Sequence, residues 1–326
     1  MNIYQLHLLA YKSTQNQHRV QKELRIRRHR MLSRFFANPG RFVAVLEHHH
    51  SVVSGSFALN FLEGEAGWQA NDVDVYVPYE EFEAMKSYLV DVEGYREDLE
   101  ETLRRRARAE AVITHNALAT EVVQDTDEPY LRHPVQTGIC QVASLYRDGK
   151  KVDIIQNDSS SALYAITFFW STLQMNYISA RGYCCAYPML TFRRIGVISP
   201  LVQTRELRPR AYIDPLVAKY QDRGYHFFTR WYFSVGARCA TSHSHPLCPT
   251  QVRSFEDNYS LSGTFGSKRY PGTIGTPRGA IVSEWKVGWQ LGGYHDDRSR
   301  LATSKAKCWH NVTGVMQTAD NIAYYW

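Results

Sequence analysis

No stretch of this sequence stays apolar for long. The longest such run, Ala162 to Trp170, falls far short of the ~20 residues needed to span a bilayer, so no membrane partner is expected. A Gly-X-X-X-X-Gly-Lys-Ser/Thr phosphate loop is missing, which argues against P-loop NTPases and kinases of that type. No internal repeat is visible, and no Ser-His-Asp or Cys-His arrangement stands out. Cysteine is scarce, at 6 of 326 residues, and Leu8-Leu9-Ala10 is too short an apolar core for a secretory signal. The sequons at Asn258 and Asn311 are therefore read as chance matches. Free thiols in a reducing compartment, cytoplasmic or nuclear, are the expectation.

What is present is an ordinary globular composition, 44% hydrophobic and 21% charged, in a chain long enough for more than one domain. Aromatic residues, at 13%, favour ordered packing over disorder. The formal net charge of +6 is concentrated near the N-terminus. Arg19, Lys22, Arg25, Arg27, Arg28, Arg30 and Arg34 face Glu23 alone. Two readings stay open for this segment. Val20, Leu24, Met31 and Phe35 recur at roughly helical spacing, so the charges could be the solvated face of an amphipathic helix. Equally, they could form an arm that holds phosphate backbones.

Local signals predict an α+β fold, a mixed sheet flanked by helices. A basic helix over 16–37 ends at Asn38-Pro39-Gly40, and a short helix runs from Arg41 to about His48. The strand Ser51–Ser54 leads into a helix over Phe57–Leu62, capped by Ser56 and ended by Gly64. Asp72–Val77 alternates as a strand, and Pro78 opens a helix to about Val92. Glu100 and Glu101 precede Arg104 and Arg105 by four, so the Arg104–Arg108 run reads as a salt-bridged exposed face. Asp148-Gly149 joins the strands Gln141–Arg147 and Lys151–Gln156 as a hairpin. A long aromatic helix is expected over about 160–179, and another from Asp214-Pro215 to Gly224. Beyond Cys239, one strand is expected at Trp285–Leu291 among long loops. The chain divides into a basic helical arm (1–44), a core (45–158) and a helical, then Gly/Trp-rich region (159–326) that would serve acceptor specificity or packing.

Within that core, two carboxylates stand where carboxylates are poor residues. Asp72 and Asp74 occupy positions i and i+2 of a strand, so they project from one face and repel each other. A divalent cation is the natural neutraliser, and oxygen-only ligands suit Mg2+ or Mn2+. A third carboxylate, Asp153, lies in the apolar strand "KVDIIQ". Upstream, Gly55-Ser56 joins strand to helix, where a close backbone approach and free N–H groups suit a phosphate.

This order resembles the nucleotidyltransferase superfamily typified by DNA polymerase beta, poly(A) polymerases and aminoglycoside nucleotidyltransferases. The resemblance covers about residues 45–158. It implies that Asp72, Asp74 and Asp153 are the catalytic, metal-binding carboxylates. It further implies that Gly55 and Ser56 bind the phosphates of a nucleoside triphosphate, with ATP the leading choice. Fifteen residues separate Ser56 from Asp72, more than is usual there, so "EGEAGWQAN" should form a surface loop packed down by Trp68. The segments "SGSFAL", "NDVDVYVP", "STLQMNYI", "AYPMLTFRR" and "KYQDRGY" also resemble a largely uncharacterised family of nucleotidyltransferase-like proteins common in fungi. The implied activity is metal-dependent nucleotidyl transfer to an RNA, protein or small-molecule acceptor, with pyrophosphate released. The competing expectation is an inactive scaffold of the same fold that binds partners, nucleic acid among them, through the basic arm.

Two weaker clusters complete the inventory. Cys239, His243, His245 and Cys248 are zinc-binding residue types at a non-standard spacing, and an incidental loop competes with a metal site. His48-His49-His50 ends a helix, where imidazolium suits the negative dipole end. Cys184 and Cys185 lie in an aromatic segment and are expected to be buried thiols.

Overall fold

The computed structural model describes residues 1–65, 67–100, 102–103, 138–199, 210–228, 248, 251–266, 285–291, 305–310 and 316–317. The Arg104–Arg108 run, Asn311, Cys239, His243 and His245 lie outside these residues, while Cys248 is buried. Among the described residues, no helix is long and apolar enough to cross a membrane.

Three helices open the chain: α1 (Ile3–Ala10), α2 (Thr14–Leu32) and α3 (Pro39–His48). Strand β1 (Val52–Ser54) runs directly into α4 (Gly55–Glu63), and β2 (Asp72–Val77) follows. The run after Pro78 is helical but changes pitch, from a 3-10 turn (Tyr79–Glu81) through α5 (Phe82–Ser87) to a π-turn (Tyr88–Val92). Next come β3 (Arg96–Glu97), β4 (Ile139–Arg147), β5 (Lys150–Asn157), β6 (Asn176–Ile178) and β7 (Gly182–Cys185). Among these, β4 and β5 form the hairpin expected at Asp148-Gly149. The remaining elements are α6 (Pro188–Thr191), β8 (Ile195–Val197), α7 (Arg210–Gln221), β9 (His226–Phe228), β10 (Arg253–Ser254), β11 (Leu261–Thr264), β12 (Trp285–Gln290), β13 (Lys305–His310) and β14 (Met316–Gln317).

An eight-stranded mixed sheet in the order β11-β7-β6-β1-β2-β5-β4-β3 carries the fold. Its pairings are antiparallel except β2 with β5, which is parallel. Alternation sorts the side chains into two faces. Val53, Val73, Val75, Val77, Ala143, Leu145, Val152 and Ile154 join one apolar cluster with Phe42, Phe57 and Phe61 from the helices. On the other face, Val52, Tyr76 and Ile155 pack with Tyr164, Phe168 and Tyr177. The aspartates of β2 and β5 share that second face.

Three local expectations are corrected. The segment 160–179 is no long helix but two 3-10 turns, Ala165–Phe168 and Thr172–Gln174, followed by β6. Its hydroxyls compete for the backbone. Ser159 Oγ accepts from Ser161 N, Ser161 Oγ from Leu163 N and Ser171 Oγ from Leu173 N. Secondly, Ser56 does not cap α4, because the helix already starts at Gly55. Thirdly, the region past Cys239 holds more than one strand. β11 pairs with β7 at the edge of the main sheet, while β10, β12, β13 and β14 form a second sheet. The buried Arg253 joins them: its guanidinium meets the Asp257 carboxylate at 2.5 Å and donates to Ala186 O at 2.6 Å.

The basic segment is an amphipathic helix, as one of the two readings expected, but several of its cations have carbonyl partners that neither reading anticipated. Val20, Leu24 and Leu32 are buried in the core beside α1 and α3. Four of the cations donate to backbone carbonyls. Arg25 reaches Phe265 O, Arg27 reaches Phe61 O, Arg28 reaches Ala180 O and Arg34 reaches Ala70 O, at 2.7, 3.2, 2.6 and 3.1 Å. Arg28 also lies 3.9 Å from the centre of the Phe265 ring. Burial, with the neighbouring Arg25, lowers its guanidinium to about 10. Arg19, Lys22 and Arg30 are exposed.

Just past β5, Asp158 gives the fold a pH dependence. Burial raises its carboxyl from 3.8 to about 6, against a smaller lowering by its own backbone N–H. Among the described residues, its Oδ1 is buried without a hydrogen-bond partner. The native state therefore holds this proton more tightly than the unfolded chain does. That stabilisation is present below pH ~4 and is lost as pH rises through about 6. Asp158→Asn is expected to be the more stable protein at pH 7, by up to about 3 kcal/mol for a shift of this size. In melting curves taken from pH 7 to pH 4 the advantage should shrink to nothing. A constant gap across that range would exclude Asp158 as its source.

Candidate functional site

The site begins at the junction of β1 and α4. Gly55 has φ +64, a left-handed conformation that favours glycine, and it turns the chain from strand to helix in one residue. A Cβ placed on Gly55 would lie 2.1 Å from Asp74 Oδ2. Glycine is therefore what lets the Asp74 carboxylate rest against the turn. On either side, Ser54 Oγ donates to Asn176 O at 2.5 Å, and Ser56 Oγ donates to Asp72 Oδ1 at 3.0 Å. The first amides of α4 have no partner within the helix, as at any helix start.

Sheet register then assembles one row across four strands. Ser54 of β1 stands opposite Asp74 of β2, Asp74 opposite Asp153 of β5, and Asp153 opposite Ser144 of β4. Adjacent strands lie ~4.8 Å apart, so Asp74 and Asp153 are immediate neighbours on one face. Asp72 sits two residues along β2 on that same face, opposite Lys151. Backbone register thus sets the three predicted carboxylates at neighbouring positions of one sheet face, with Gly55 and Ser56 beside them.

Their immediate contacts are local. Asp153 is only 4% exposed. Ser144 Oγ donates to its Oδ1 at 2.8 Å, and Lys151 Nζ stands 3.0 Å from its Oδ2. Asp72 is turned to Ser56. In this arrangement, no three His, Cys, Asp or Glu side chains among the described residues are gathered as a metal-binding group.

Sequence reasoning missed three members of the site. Ser144 and Lys151 had a signal: the Asp148-Gly149 turn sets Arg147 opposite Lys150, which puts Ser144 opposite Asp153. Tyr220, near the end of α7, had none. Burial raises its phenol above the ordinary value, and Arg223, Asp74 and Asp72 all act on it electrostatically. The Arg223 guanidinium lies 4.1 Å from the centre of the Trp68 ring and 5.0 Å from that of Tyr220. Trp68 O accepts from Asn60 Nδ2 at 2.8 Å. The loop between α4 and β2 is therefore pinned by Trp68, as expected, against Arg223 in the turn that follows α7.

The chain matches no protein-family model, no curated protein and no solved structure. Its chemistry is read from the side chains themselves. One face of the sheet offers three carboxylates, two serine hydroxyls and a lysine at the mouth of a helix start. The His48-His49-His50 run stands nearby in sequence, with His49 Nδ1 2.6 Å from Glu81 Oε2. Cys184 and Cys185 are buried thiols in β7, with burial pushing both upward, Cys185 to about 12.

Proposed function

We propose that the chain has a nucleotidyltransferase core and catalyses metal-dependent nucleotidyl transfer, with ATP as the leading donor. The observation that carries this reading is the register of Asp74 with Asp153, beside a Gly55 that only a residue without a side chain can occupy. The acceptor oxygen bonds to the α-phosphorus, the phosphoanhydride bond from that phosphorus to the α,β-bridging oxygen breaks, pyrophosphate leaves, and the acceptor's proton passes to water. No side chain need act as a covalent nucleophile in this reaction.

The donor set fits a hard cation: Asp72, Asp74 and Asp153 supply carboxylate oxygens alone, the chemistry of Mg2+ or Mn2+. Bound there, such an ion supplies charge neutralisation for the phosphates and for the developing negative oxygens. The chain's own groups do the rest. Ser56 and the first amides of α4 would hold the β- and γ-phosphates, Asp72 and Asp74 would hold the ion beside the triphosphate, and Asp153 would orient the acceptor hydroxyl. Residues 159–326 select the acceptor, and Tyr220 of α7 packs in one buried cluster with Leu59 of α4.

Calorimetric titration of ATP with and without Mg2+ tests the reading, together with incubation of each labelled NTP, Mg2+ and a cell extract. Binding should require the metal, and one class of molecule should become labelled. ATP binding that ignores Mg2+, with no label transferred, would instead favour the inactive binding module.

A further inference from the structure

We infer that Lys151 is a resident counter-ion of Asp153 that a divalent cation must displace, so that this lysine sets how tightly the site binds metal. The inference rests on the metal-dependent reading above. Lys151 lies two residues before Asp153 on β5, so both side chains leave the same face. It also stands directly opposite Asp72 in the parallel pairing. Its position is therefore inside the carboxylate group rather than at its rim. The ammonium is 3.0 Å from Asp153 Oδ2, with side chains 20% and 5% exposed.

The hydroxyl of Ser144 and the ammonium of Lys151 differ in what they permit at Asp153. Ser144 holds Oδ1 with a neutral hydroxyl, which carries no net charge to repel an approaching cation. Lys151 places a full positive charge where a cation would have to approach Oδ2. Like charges at that separation, in a partly desolvated site, repel by far more than thermal energy. Metal binding at Asp153 thus requires Lys151 to swing away, and its loss of contact is subtracted from the affinity. In return, the fold tolerates clustered carboxylates without an ion, because a buried carboxylate stripped of its partner is costly.

The test uses the full chain and Mn2+, followed by electron paramagnetic resonance and by melting temperature. Lys151→Met should bind Mn2+ at least about 10-fold more tightly than the wild type. In chelator it should melt lower, and Mn2+ should raise its melting temperature by more than it raises that of the wild type. Lys151→Gln, which can still donate to Asp153 without charge, should likewise tighten Mn2+ binding and guards against a poorly folded Met variant. Lys150→Met removes the same charge from the opposite face and should change neither property. Unchanged or weaker Mn2+ affinity in both Lys151 variants, with the wild type binding and Asp72→Asn not binding, would overturn the counter-ion role alone. Failure of the wild type and both Lys151 variants to bind Mn2+ would overturn the metal site itself.

Discussion

Asp74→Asn is expected to abolish Mg2+-dependent ATP binding and to lower transfer by at least about 10²–10³-fold, the range seen when one preorganised charge-stabilising group is lost. Asp74 has the central place in the row, with Ser54 on one side and Asp153 on the other, and its carboxylate lies against Gly55. Asparagine keeps the shape and removes the charge, so the sheet should stay intact. It also relieves repulsion from Asp72 two residues away, and the melting temperature in metal-free buffer should hold or rise. Calorimetry, turnover and melting curves on the same preparation check all three. Retention of full transfer by Asp74→Asn together with Asp72→Asn would refute the assignment of these carboxylates.

Gly55→Ala should be strongly destabilising. Two costs add. The left-handed φ of +64 strains any residue with a side chain, on the order of 1–3 kcal/mol. The new Cβ would also meet Asp74 Oδ2 at 2.1 Å, so either the carboxylate or the start of α4 must move, at roughly another 1–3 kcal/mol. Gly67 separates the two effects, because it has φ +76 with nothing within 4 Å of its would-be Cβ. Gly67→Ala should show the strain without the clash. Pairing Gly55→Ala with Asp74→Ala should restore part of the stability and none of the ATP binding, the signature of direct contact in a double-mutant cycle. If Gly55→Ala proves no more destabilising than Gly67→Ala, the close approach of turn and carboxylate is wrong.

Where sequence reading succeeded, the interactions were local. The order of β1, α4 and β2 follows from an apolar run, a Gly-Ser junction and an alternating run, each contained in a few residues. The β4–β5 hairpin follows from Asp148-Gly149, and that turn also dictates that Ser144 faces Asp153. Within a single strand, period-two alternation is enough to put Asp72 beside Asp74 and Lys151 beside Asp153.

Where it failed, the outcome depended on partners distant in the chain. Aromatic spacing over 160–179 suggests a helix, yet serine and threonine hydroxyls there take the backbone groups a helix would use, and Asn157 Oδ1 accepts from Ala165 N at 2.7 Å. The four residues of β11 carry no strand pattern of their own and are extended because β7 offers them an edge. Arg25, Arg27 and Arg28 of α2, and Arg34 just past it, look like part of a solvated or phosphate-binding face until Phe265, Phe61, Ala180 and Ala70 present carbonyls to them.

By itself, then, the sequence determined which residue types stand on each element and which of them share a strand face, because backbone geometry imposes those periods whatever the surroundings. Only the tertiary structure decided that β2 lies parallel to β5 with Asp74 opposite Asp153, and that Tyr220 of α7 packs in one buried cluster with Leu59 of α4. Strand order and helix docking are set by how whole apolar faces bury against one another. That sum runs over contacts far apart in the chain and leaves no mark in any short stretch of it.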